Sequence, residues 1–280
     1  MKKIIVTGCN GQLGRALNQI YAGSTEISCI NTDVGELDIT DIDAVLQLAR
    51  EVKPYAIVNC AAHTNVNACE SQVDAAYRIN AIGPRNLSIA AAETGAKLVQ
   101  VSTDYVFPGD GSRPYTEFDA TGPQSVYGAS KLAGENFVRD FARNYFIIRT
   151  AWLYGDGNNF AKTMLRLSEQ NDTVSVVMDQ VGTPTSAKEL AKAIAYLLPT
   201  ENYGIFHGTC EGDCSWADFA EEIFRLAGKQ TKVKRITTEE YPTPAKRPAY
   251  SILDNYMLRL TTDFVFADWH DALEEYMKTL

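Results

Sequence analysis

The first 150 residues alternate between short unbroken apolar runs and longer stretches whose apolar positions recur at helical spacing. Lys3–Thr7 is one such run, and Leu13, Leu17, Ile20 and Tyr21 follow at intervals that place them on one helix face. Glu26–Ile30 reads as a second strand. Thr40 and Asp41 cap a helix carrying Ile42, Val45, Leu46 and Ala49, which must end before Pro54. Tyr55–Cys60 reads as a third strand, and an alanine-rich helix over Val73–Thr94 contains an interruption at Gly83-Pro84. A strand at Lys97–Val101, a helix over Tyr127–Arg143 and a strand at Tyr145–Thr150 complete this half. Strands that are apolar throughout belong to a parallel sheet covered on both faces. The pattern predicts a doubly wound Rossmann-type α/β fold, with ligands at the carboxyl ends of its strands.

The second half is less regular. Phe160–Ser168, Ala187–Leu198, Trp216–Ala227 and Trp269–Met277 read as helices, and Val174–Val177, Gly204–His207 and Lys232–Ile236 as short strands. Gly111–Gly122 and Glu239–Arg247 read as loops. The expected division is a dinucleotide-binding domain over residues 1–150, rejoined by 178–208, and a smaller α+β substrate-binding lobe made of 151–177 and 209–280.

Composition narrows the partners. With 35 acidic against 26 basic side chains and a net charge of −9, the chain lacks the positive footprint that nucleic acid or an anionic membrane requires. No stretch approaches the roughly 20 apolar residues that span a bilayer. The run after Met1 stops at Thr7-Gly8, so it reads as a first strand and not as a signal peptide. The six cysteines form no C-x-x-C pair and read as reduced thiols of a cytoplasmic protein. Cys210 and Cys214 with His207 lack a fourth ligand and sit in a turn-like segment, so no metal site is predicted.

Candidate chemistry falls just after the strands. Gly8, Gly11 and Gly14 form a G-x-x-G-x-x-G turn between a strand and a helix, where Asn10, Gln12 and Leu13 could bring backbone amides to a pyrophosphate. Asp33 lies 19 residues beyond Gly14, placed to accept bonds from an adenosine ribose, which favours NADH. Arg15 could instead meet a 2′-phosphate, which favours NADPH, and the choice stays open. Asp38 and Ile39 could lie against the adenine or close a turn. Tyr127 and Lys131 are one helical turn apart, with Thr103 after the preceding strand. An ammonium about 4 Å from a phenol, at an effective dielectric near 20, is worth roughly 4 kcal/mol and would draw its pKa of about 10 down toward neutrality. Thr103 could bond the same carbonyl oxygen. Trp152 offers a flat apolar wall, and Arg247 with Lys246 offers charge to a diphosphate.

These segments resemble the extended short-chain dehydrogenase/reductase family over essentially the whole chain. Within it the likeness is to the branch that reduces dTDP-4-keto-6-deoxysugars. Beyond the glycine turn, the resemblance rests on Leu37-Asp38-Ile39-Thr40, Asn59–Thr64, Ser102–Phe107, Tyr127–Lys131, Arg149–Gly155, Asp179–Thr185 and Lys246-Arg247-Pro248. It implies reduction of dTDP-4-dehydro-β-L-rhamnose by NADH or NADPH, the last step toward dTDP-L-rhamnose. Thr103, Tyr127 and Lys131 match the family's catalytic positions. Gly11-Gln12-Leu13, Asp38-Ile39 and Ala61-Ala62-His63 match its cofactor contacts, and Asp104 and Trp152 its sugar-nucleotide contacts. Some relatives join subunits through Mg²⁺ and acidic side chains, one of them in the first helix. Arg15-Ala16 stands near that position here, so neither the metal nor that dimer is expected, and a monomer or a homodimer remains open. Asn67 and Cys69 also depart from a segment that often reads V-D-x-A-E. Tyr105 replaces the acid that a 4,6-dehydratase needs after Thr-Asp. A 4-epimerase, a reductase of another dTDP-4-keto-6-deoxysugar and a non-catalytic nucleotide-binding subunit are the alternatives.

Overall fold

A computed structural model describes residues 1–280. The first half runs β1 (Lys2–Thr7), α1 (Gln12–Tyr21), β2 (Ile27–Thr32), α2 (Ile42–Val52), β3 (Ala56–Asn59), α3 (Val66–Ser71), α4 (Val73–Tyr77), a π turn (Arg78–Ile82), α5 (Gly83–Thr94), β4 (Lys97–Thr103), α6 (Val126–Phe141) and β5 (Tyr145–Thr150). The second half adds β6 (Leu153–Tyr154), α7 (Phe160–Ser168), β7 (Thr173–Val177), β8 (Val181–Gly182), β9 (Thr185–Ser186), α8 (Ala187–Leu197), β10 (Gly204–His207), β11 (Cys214–Ser215), α9 (Trp216–Leu226), β12 (Lys232–Ile236), α10 (Tyr256–Thr261) and α11 (Trp269–Met277).

Six strands form one parallel sheet in the order β10-β5-β4-β3-β1-β2. The chain moves outward from β1 to β2 and then crosses to β3 on the other side, which opens a crevice above β1 and β3. One face of the sheet is covered by α1 and α8, whose Leu13, Leu17, Leu190 and Ile194 pack on Ile4, Val6, Val58 and Phe206. The opposite face is covered by α2, α5 and α6 through Val45, Leu87, Ala91 and Val138. A third core holds the irregular half together, with Phe219, Ile223, Tyr154, Trp269 and Leu273 at its centre. No helix is long and apolar enough to cross a membrane.

The helix expected over Val73–Thr94 contains a π turn, because Pro84 has no N–H to offer and Gly83 N bonds back five residues to the Arg78 carbonyl. Periodicity did not reveal α3, α10 or the two-residue strands. Each is too short to complete a repeat, and the pairing partners of β6 and β8 lie far along the chain.

Candidate active site

Residues that lack a Cβ build the cradle above β1. Gly8 sits at φ +62°, and a Cβ there would stand 2.8 Å from the Ala61 backbone nitrogen. One on Gly14 would stand 2.5 Å from the Gly8 carbonyl oxygen. The loop and the first turn of α1 therefore close against the crevice only with glycine. Gly11 caps α1 without a side-chain bond, so the opening amides of the helix keep free donors beside the cleft. This is the donor set and the space that a dinucleotide pyrophosphate needs, and the cofactor fits it. Asp33, at the end of β2, accepts from Asn10 N at 3.2 Å and Val34 N at 2.8 Å and lines the cleft. Arg15 donates to the Asn10 carbonyl at 2.9 Å and pairs with Asp156 at 2.9 Å. Asp38 bonds Thr40 N at 2.9 Å, which is the turn-closing role, and it still borders the cleft together with Ile39.

A cleft of about 780 Å³ runs from this cradle to the ends of β4 and β5. Gly8, Gly11, Gln12, Leu13, Gly14, Asp33, Asp38, Ile39, Ala61, Ala62, Thr103, Asp104, Tyr127, Lys131 and Trp152 all border it. Three expected residues stand apart from its wall. Asn10 contributes through its backbone bond to Asp33. The His63 ring is held by Cys69 Sγ at 3.5 Å and Gln72 Oε1 at 3.0 Å, so it turns toward α3 and not into the cleft. Arg247 lines an adjoining hollow of about 210 Å³ that shares Tyr105 with the cleft.

The reactive wall is held by α6. Ser125 caps that helix, and the Glu70 carboxylate accepts from Val126 N at 2.8 Å. A Cβ on Gly128 would lie 2.2 Å from the Tyr105 carbonyl oxygen, so the helix presses onto the exit of β4. Thr103 Oγ1 donates to Asp104 Oδ1 at 2.8 Å, while Asp104 Oδ2 is buried without a partner. Burial raises the Asp104 carboxyl to about 7 against the pull of Thr103. Burial also raises the Tyr127 phenol, and the Asp104 charge pushes the same way.

Here the structure corrects an expectation. Lys131 was expected to draw the phenol down, yet its Nζ donates to the Val101 carbonyl at 2.6 Å, and burial lowers its own pKa to about 8. The phenol is therefore fully protonated at neutral pH, which suits a proton donor and not a base. Tyr105, packed edge-on to Tyr127 at 5.4 Å, is raised to about 12 by burial.

Several groups escaped sequence reasoning. Asn80, buried on the π turn, accepts from His63 N at 2.8 Å and donates to the His63 carbonyl and to Ser130 Oγ, each at 3.1 Å. Ser130 Oγ in turn bonds the Tyr127 carbonyl at 2.8 Å. The loop after β3 is thus tied to the start of α6; the Gly83-Pro84 break was the only hint of it. Trp152 has φ +47°, a strained value for a bulky side chain. It stacks on Trp216 with centroids 3.5 Å apart and planes at 9°. Trp216 also borders the cleft, and no local motif marks it, because its partner is 64 residues away (216 minus 152).

The whole chain, residues 1–280, matches the family model described as the RmlD substrate binding domain. Its backbone superposes on a dTDP-4-dehydrorhamnose reductase of Clostridium acetobutylicum with a TM-score of 0.97 and 55% identity, covering 99% of each chain. A Bacillus anthracis dTDP-4-dehydrorhamnose reductase in complex with NADP gives a TM-score of 0.97 at 45% identity and covers 100% of both chains. The spore coat polysaccharide biosynthesis protein SpsK of Bacillus subtilis is 39% identical over 280 residues, covering 99% of this chain and 98% of that protein. With a glycine cradle, a Tyr–Lys pair and a Thr-Asp strand end opening onto one cleft, the chain belongs to the RmlD family of extended short-chain dehydrogenases/reductases, the family of the dTDP-4-dehydrorhamnose reductases.

Proposed function

We propose that this protein is an NADPH-dependent oxidoreductase that reduces the C4 ketone of dTDP-4-dehydro-β-L-rhamnose to give dTDP-β-L-rhamnose. The observation that carries this reading is the single cleft shared by the cradle and by Thr103, Tyr127 and Lys131 in a chain of this family. Bound in the cradle, the reduced nicotinamide would supply hydride.

Tyr127, in its protonated form at neutral pH, donates its proton to the C4 oxygen as charge develops there. Lys131, one helical turn away and cationic below about pH 8, would hold the ribose of the bound nicotinamide beside the phenol. Asp104 titrates near neutrality; when it carries a proton, the Thr103 hydroxyl is released to donate to the same oxygen. Trp152 and Trp216 give the sugar an apolar wall that excludes water, and Arg247 with Lys246 takes the diphosphate. Asp33 and the cradle glycines hold the cofactor's adenosine and pyrophosphate. Residues 1–150 with 178–208 act as the cofactor domain, and 151–177 with 209–280 as the substrate lobe. The enzyme works in the cytoplasm as a monomer or homodimer, and every group named here comes from one chain.

Absorbance of the reduced nicotinamide, followed with dTDP-4-dehydro-β-L-rhamnose, tests this. Net consumption is expected. Conversion of the sugar without net consumption would make it an epimerase, and no conversion would leave only a nucleotide-binding role.

A further inference from the structure

We propose that Glu135 is a positioning residue for this reaction: its carboxylate registers α6 against the ends of β4 and β5 and secures the charge of Lys131. The inference rests on the roles given above to Tyr127 and Lys131. Glu135 follows Lys131 by one turn of α6, and both are buried. Arg149 reaches it with two bonds, Nε to Oε1 at 3.0 Å and Nη2 to Oε2 at 2.7 Å. Ser102 Oγ donates a third, to Oε1. Ser102 directly precedes Thr103 and Arg149 directly precedes Thr150, and those two threonines are partners in the β4–β5 ladder. One carboxylate therefore ties together the strand end that carries Thr103, the strand beside it and the helix that carries Tyr127 and Lys131.

Packing alone does not call for this arrangement. Apolar side chains of the same volume generally serve stability at least as well as a buried ion pair. The groups around the cluster leave Glu135 as the chief support of the ammonium. Cys60, just past the end of β3, lies beside the ammonium, Ser102 reaches Glu135 from β4 and Arg149 from β5, and His207 on β10 pairs beside Arg149. Burial holds His207 neutral, with a pKa of about 3; its ring Nδ1 meets the Asp254 carbonyl at 3.0 Å, and its backbone N–H donates to Glu117 at 2.7 Å. Burial works against the Lys131 charge, and Glu135 is the largest influence opposing it.

Glu135→Gln keeps the volume and an acceptor for Ser102 but removes the charge. Turnover across about pH 6 to about pH 10 is measured as nicotinamide consumption, with NADPH binding by fluorescence over the same range. The alkaline fall, set in the wild type by Lys131 near pH 8, moves down by at least about one pH unit in this variant. Glu135→Asp, which keeps the charge, leaves that fall where it was although turnover drops. A purely structural role lowers turnover equally at every pH, so a folded Glu135→Gln with an unmoved alkaline fall overturns the proposal. If that variant does not fold, the double variant Glu135→Leu/Arg149→Met decides. An apolar pair is expected to fold; read against Arg149→Met alone, so that only the Glu135 charge differs, an unmoved fall overturns the proposal equally. A wild-type protein that consumes no NADPH with the keto sugar defeats the functional reading instead, and the comparison is then made on the pH dependence of NADPH binding.

Discussion

The two walls of the cleft are built on opposite principles. The cradle wall, at the tips of β1, β2 and α1, works by omission: Gly8 and Gly14 leave out side chains so that backbone can close on backbone. Its one carboxylate facing the cleft at the tip of β2, Asp33, is satisfied by two backbone amides. The reactive wall, made by β4, α6 and β5, instead buries Asp104, Lys131, Glu135 and Arg149 and leaves Tyr127 half-buried. Burial shifts Asp104 and Lys131 toward their neutral forms. In the cradle, features that bind cofactor also favour the fold. In the reactive wall, features that serve chemistry oppose it.

The contrast predicts opposite responses to substitution. Lys131→Met should cut turnover by at least about 10²-fold while making the protein more stable at neutral pH. A lysine whose folded pKa is depressed from 10.5 to about 8 contributes full stability only above the unfolded value, and that stability is lost as pH falls through about 8. Thermal unfolding at pH 7 should therefore show the variant more stable by about 1–3 kcal/mol, a gain that disappears at about pH 10.5.

Gly14→Ala should do the reverse, weakening NADPH binding at least about tenfold and costing about 1–3 kcal/mol of stability, because its Cβ has no room. Fluorescence titration and urea unfolding would measure both, and an alanine variant that binds normally would break the comparison. Asp104→Asn should have a smaller, pH-dependent effect. A carboxyl raised from 3.8 to about 7 contributes stability that is full below about pH 4 and lost as pH rises through 7. The variant should gain about 1–3 kcal/mol over the wild type at pH 8 and much less at pH 5. Smallest is Asp33→Ser, which should raise the ratio of kcat/KM for NADPH over NADH by about 3–10-fold, since it removes an anion from the ribose edge.

Legibility in the sequence follows the same line. The parallel sheet was readable because each buried strand is a continuous apolar run; Tyr145–Thr150 and Gly204–His207 have the expected bounds in the structure. The cradle was readable because its glycines fall within seven residues, Gly8 to Gly14, and the Tyr127–Lys131 pair because helical spacing is local. What could not be read depends on distant partners. Glu135 meets Ser102 across 33 residues, Asn80 meets Ser130 across 50, and Trp216 meets Trp152 with nothing in either segment to announce it. The direction of the Tyr127 shift was misjudged for a related reason. Spacing places an ammonium near a phenol, but it shows neither the depth of burial nor the Val101 carbonyl that occupies Lys131.

The central claim is that a half-buried, fully protonated Tyr127 gives its proton to the sugar oxygen. Comparing Tyr127→Phe with the wild type, by NADPH titration and by turnover of dTDP-4-dehydro-β-L-rhamnose, tests it most directly. The account predicts a dissociation constant for NADPH within about threefold of the wild type and turnover lower by at least about 10²-fold at neutral pH. Turnover within a few-fold of the wild type would contradict it.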